Sequence, residues 1–208
     1  MADQIPKPVT SKAPEFIRGV LLTDLKRMVY ECNLHYLAFG VIAVGIEFLG
    51  ACEDSHPFEE PRHSHDRFDA GIQRLASIDS RYADYNKKDS PYWLYRFLRC
   101  GTAHVMRPHG PLLFSQRSHS PNGMSSHLNV FNGFLSLICE DFYDHFAEGC
   151  QTLLQDSVVI SKPKLQQTYL TVAPFQIGLA TIRLSSTAPQ PGALWDKFAH
   201  PLGPDLAD

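Results

Sequence analysis

In the stretch WLYRFLRCGTAHVM, residues 93–106, an arginine and a histidine are separated by four residues: Arg99-Cys100-Gly101-Thr102-Ala103-His104. These two side chains are suited to work on a phosphate. A guanidinium offers phosphoryl oxygens a rigid fork of donors and a permanent charge. An imidazole moves protons near neutral pH. The competing reading is that both are polar punctuation at the end of an amphipathic helix. On an ideal helix, side chains five positions apart diverge by about 140°. Gly101 and the Arg107-Pro108 step allow the helix to end near His104 and close some of that angle. Alternatively, two copies of the helix meet across a dimer axis and complete each other.

Other groupings are weaker. HPFEEPRHSHD supplies His56, His63, His65 and Asp66, and the H-x-H spacing of His63 and His65 occurs in metal sites. The further histidine and aspartate spacing of a metallo-hydrolase is missing, so no metal is assigned. In CEDFYDHF, Asp141 and His145 are four apart on one helical face and read as an exposed pair. The G-x-S-x-G, P-loop and G-x-G-x-x-G motifs are absent, which leaves nucleotide-fuelled and dinucleotide chemistry without support and no cofactor expected.

Hydrophobic periodicity supplies the elements. Residues 15–31 place Phe16, Val20, Leu21, Leu25, Met28 and Val29 at helical spacing. After a break near Asn33, residues 34–51 form a nearly uniform apolar helix. The run Leu34 to Cys52 approaches bilayer-crossing length, but it contains His35, Glu47 and three glycines and lacks interfacial anchors. It reads as the centre of a soluble bundle, with no membrane partner. Short helices are expected over 66–77 and 79–86. Ser90-Pro91 then opens the helix that carries Arg99. Two apolar runs, 112–116 and 127–131, suggest a β-hairpin insertion near 110–132. Residues 134–154 return to helical spacing, with Leu137, Ile138, Phe142, Phe146, Cys150 and Leu153 on one face. Alternation after Gln155 suggests short C-terminal strands. The fold class is mainly α: a flexible leader over 1–14, one domain over 15–186 and a Pro/Gly-rich tail over 187–208.

A formal net charge of −3 creates no global basic field, so a nucleic acid would have to meet a local patch. Five cysteines without a C-x-x-C pair suit reduced thiols and a cytoplasmic setting.

Arg99 and His104 fit the R-x(4–6)-H motif of the HEPN superfamily at its shortest spacing. The chain resembles that superfamily in these residues and in the helix order 15–31, 34–51, 91–105 and 134–154. The resemblance implies a four-helix HEPN-like bundle and a metal-independent endoribonuclease, a class that includes toxins and defence effectors. In that chemistry the RNA 2′-hydroxyl attacks the adjacent phosphate, His104 transfers protons and Arg99 steadies the phosphoryl charge. Cys100 stands where the family usually has a polar residue, often asparagine. Glu47 matches the acidic residue that active members carry on an earlier helix. Burying it unpaired would cost several kcal/mol, so it should find Arg96, Arg99 or His104. Arg96, Arg107 and His109 would form a rim for the RNA backbone, and Tyr95, with Tyr92 and Trp93, a stacking surface. Implied partners are RNA, a second copy through the 91–105 helix and a protein such as an antitoxin. The alternative is a non-catalytic HEPN-like interaction module whose arginine and histidine only fasten helix ends.

Overall fold

The computed structural model describes residues 9–105, 107–119 and 127–172, and the protein is mainly helical. Strand β1 (Val9–Lys12) leads into a helical run made of α1 (Ala13–Phe16), a π-helical stretch (Ile17–Asp24) and α2 (Leu25–Tyr30). Ile17, Leu21, Leu25 and Val29 recur at every fourth position and are all buried, which is the pattern expected of an amphipathic first helix. Asn33, at φ 54°, turns the chain after this run, in a left-handed conformation that asparagine tolerates.

The apolar run becomes α3 (His35–Glu53), long and apolar enough by length and composition to span a membrane. Its Phe39, Ile42, Ile46 and Leu49 are fully enclosed. The enclosing helices are chiefly α4 (Ser64–Ala76) and α7 (Cys139–Gln155). The approach of α3 to α4 is close enough to require glycine. A Cβ on Gly50 would stand 1.7 Å from the carbonyl oxygen of Arg67, and one on Gly71 would stand 2.0 Å from that of Ile46. At the end of α3, the carbonyls of Ala51 and Glu53 accept from Lys164 Nζ and Lys162 Nζ. Two cations thus satisfy the orphan acceptors at the negative end of the helix dipole.

After α5 (Arg81–Tyr85) comes the run that carries the Arg99 motif: a π-helical stretch (Tyr95–Cys100) followed by α6 (Gly101–Val105). The hairpin expected from runs 112–116 and 127–131 takes another form. Strands β2 (Leu112–Ser115) and β3 (Asn129–Phe131) do not pair with each other. They flank β4 (Phe134–Ile138), β2 parallel and β3 antiparallel to it. The tight turn is Asn132-Gly133, with φ of 49° and 79°, the two left-handed residues of a two-residue hairpin loop. The helix expected from residue 134 therefore begins only at Cys139. Its inward face is nevertheless the expected one, with Phe142, Phe146, Cys150 and Leu153 fully buried.

The segment after Gln155 also differs from its expected extended form. Asp156 Oδ1 accepts the N–H groups of Val158 and Val159 and starts α8 (Ser157–Ile160). Pro163 then opens α9 (Pro163–Gln166). Only afterwards does a strand appear, β5 (Thr168–Val172), antiparallel to β1. Residues 9–12, assigned to a flexible leader, are thus tied into a sheet. Residues 1–8, the alternating segment from 173 and the 187–208 tail lie outside the described residues.

Candidate functional site

Glu47 is the only acidic residue in the apolar interior stretch of α3, and its partner comes from the next helical layer. Arg99 Nε donates to Glu47 Oε2. Both side chains are 18% exposed, so the charges compensate each other in a largely desolvated setting. Among the described residues, the terminal nitrogens of Arg99 make no hydrogen bond or ion pair. A guanidinium held through Nε keeps its outer fork free for an oxyanion. His104 is exposed and makes no hydrogen bond, ion pair or ring contact among the described residues. The π-helical stretch ends at Cys100, so ordinary α-helical backbone carries the chain onward to His104.

The chain beyond α6 folds back over the helix that carries Arg99. Arg107 N–H donates to Gly101 O at 3.3 Å and His109 N–H to Phe97 O at 2.9 Å. Gly101 makes this possible, since a Cβ there would stand 2.7 Å from Arg107 O and 2.9 Å from His109 N. Arg107 and His109 are exposed beside the helix end. Arg96 is exposed as well, its guanidinium 5.5 Å from the centre of the Phe97 ring. The expected rim residues Arg96, Arg107 and His109 thus belong to one folded-back segment with Arg99 and His104. Tyr95 does not join them as a free stacking surface. It is half-buried, packs edge-on against His65 and donates its hydroxyl to Ser64 Oγ at 3.4 Å. Trp93 packs beside it.

Sequence reasoning missed one polar cluster and grouped another differently. Tyr82 is fully buried, with its hydroxyl 2.8 Å from His127 Nε2 and 3.1 Å from His145 Nδ1. Ile138 N–H donates to His127 Nδ1 at 3.0 Å, which assigns the ring proton to Nε2, donating to Tyr82. Burial pushes the His127 pKa down to about 3 and that of Tyr82 well above its ordinary value. His145 is therefore engaged with a buried tyrosine, where an exposed Asp141–His145 pair was expected. Asp141 instead bonds Arg117 at 2.6 Å, and Arg117 also reaches Asp144 at 2.6 Å. In the second cluster, His65 turns toward Asp69, at 3.4 Å, and away from His63. His63 instead converges with His56 and Glu60. Three histidines fall in this polar segment, but the spacing H-x(3)-E-x(2)-H groups His56 with His63, and the H-x-H pair is not brought together.

The five cysteines are all free, and burial pushes the thiols of Cys52 and Cys139 up to about 12. Cys52, Cys139 and Cys150 are buried packing groups, while Cys32 is exposed. The chain matches no family model, no curated protein and no solved structure.

Proposed function

We propose that the protein is a metal-independent endoribonuclease of HEPN type, built on a four-helix bundle, acting on RNA in the cytoplasm as a homodimer. The observation that carries this reading is the Glu47–Arg99 pair, which orients a guanidinium and leaves its terminal nitrogens without a hydrogen bond among the described residues. In the reaction, the RNA 2′-oxygen forms a bond to the adjacent phosphorus while the bond to the 5′-oxygen breaks. His104 takes the hydroxyl proton and returns a proton to the leaving oxygen. Arg99 bears the charge on the phosphoryl oxygens. Glu47 is a positioning residue, and Arg96, Arg107 and His109 supply the cationic rim. Thr102 and Ala103 line an apolar groove with Leu37, Val41, Val44 and Phe48. A second copy seated there would bring two Arg99 helices together.

Purified protein in EDTA is expected to cut single-stranded or looped RNA, leaving cyclic-phosphate or 3′-phosphate ends. His104→Ala should lower the rate by roughly 100- to 10,000-fold with an unchanged circular dichroism spectrum. Arg99→Lys should lose most activity, because an ammonium cannot reproduce the fork. The same apolar groove favours a second reading, a non-catalytic module that receives a protein partner such as an antitoxin. Wild type and His104→Ala equally inert on a broad RNA panel would replace the nuclease with that module.

A further inference from the structure

The loop between α3 and α4 gathers His56, Glu60 and His63. His56 Nδ1 and His63 Nε2 stand 3.3 Å and 3.1 Å from the Glu60 carboxylate. One donor atom from each residue lies within 4.8 Å of the other two. The imidazoles stack with ring centres 3.9 Å apart and planes inclined by 18°, so both present an edge nitrogen to one carboxylate. Around a zinc ion with ligand bonds of about 2.1 Å, tetrahedral geometry sets neighbouring donors about 3.4 Å apart. Two sides of the donor triangle already have that length.

We propose that His56, Glu60 and His63 bind one divalent transition-metal ion of the zinc class, leaving the fourth position to water. Two imidazoles with one carboxylate suit zinc, whereas calcium and magnesium take oxygen ligands. The donors are partly exposed, which gives an ion access. His56 and His63 line a cleft of about 350 Å³ that Glu53 and Asp66 also border.

The backbone that carries these ligands is braced by one buried guanidinium. Arg67, 6% exposed, donates Nε to Asp54 at 2.6 Å, Nη2 to Pro57 O at 2.7 Å and Nη1 to Phe58 O at 2.9 Å. Its own N–H donates to His63 O at 2.9 Å, joining the start of α4 to the same brace. Asp54 also accepts the His56 N–H at 2.8 Å and Lys164 Nζ at 2.6 Å. Little ordering is then left for the ion to impose, which is what a tight site needs.

The test uses the full-length, tag-free protein, stripped of metal and titrated with Zn²⁺ by calorimetry, with bound metal counted after equilibrium dialysis. One equivalent is expected. His56→Ala and His63→Ala should each weaken binding by more than the ~10- to 100-fold that loss of an outer partner costs. Glu60→Gln, which keeps the side-chain shape, should do the same. His65→Ala should bind as wild type. Melting temperatures in EDTA should match among all variants, and added Zn²⁺ should raise that of wild type but not of Glu60→Gln. Undiminished one-equivalent binding by Glu60→Gln or His63→Ala, or no binding by wild type, would overturn the site. The RNA-cleavage test runs in EDTA, so failure of either proposal leaves the other standing.

Discussion

His127 shows how one buried side chain sets a condition on the whole fold. Its imidazole is enclosed against Tyr82 and Phe142, and burial lowers its pKa to about 3. The unfolded chain titrates near 6.5. Because the folded value is the lower one, the unfolded state takes up the proton first as the medium is acidified. This contribution to stability is complete above pH ~6.5 and drains away as pH falls toward 3, by on the order of 5 kcal/mol. Denaturant unfolding across that range should show the loss. An NMR titration that places His127 near the ordinary imidazole value would abolish it. No spacing announces such a residue, since its partners Tyr82 and His145 come from other elements. The Glu47–Arg99 pair was legible for the opposite reason. A carboxylate inside an apolar helix requires a partner, and the R-x(4)-H spacing singles out the helix that carries Arg96 and Arg99.

Between elements, α3 and α4 cross closely enough to require glycine on both helices. Gly50→Ala drives a methyl into the Arg67 carbonyl and Gly71→Ala drives one into that of Ile46, both backbone atoms that cannot step aside. Each substitution is expected to cost about 2–3 kcal/mol or more, read as a lower denaturation midpoint. Gly19→Ala, with nothing within 4 Å of its added carbon, should not lower the midpoint. Helix α7 was legible because its apolar residues repeat on a helical period, and α3 because its nearly uniform apolar run is of helical length. Strand β4 was hidden because its run FLSLI continues without a break into the apolar face of α7, so one helix absorbed both. The Asn132-Gly133 turn was the overlooked signal. The π-helical stretches left no trace, because slight unwinding changes which backbone groups pair without changing the residue types that are buried.

For the whole molecule, the proposed dimer rests on the groove along α3. Leu37 and Val44 are 46% and 49% exposed there, beside Thr102 and Ala103 of α6. Contiguous apolar surface of this kind marks an interface. Sedimentation should find a dimer at micromolar concentration and a folded monomer for Val44→Asp. A wild-type monomer under those conditions would refute the dimer. The sheet formed by β1 and β5 has its own consequence for birth on the ribosome. Lys12 Nζ donates to Gln166 Oε1, 154 residues further along the chain. At the usual 5–20 residues per second, the first strand waits roughly 10–30 s for its partner to be synthesised. Helix α3 acquires α4 early in that interval and α7 only late. Between the completion of α4 and that of α7 the nascent chain therefore carries a half-covered apolar helix, the kind of surface that chaperones at the exit tunnel hold.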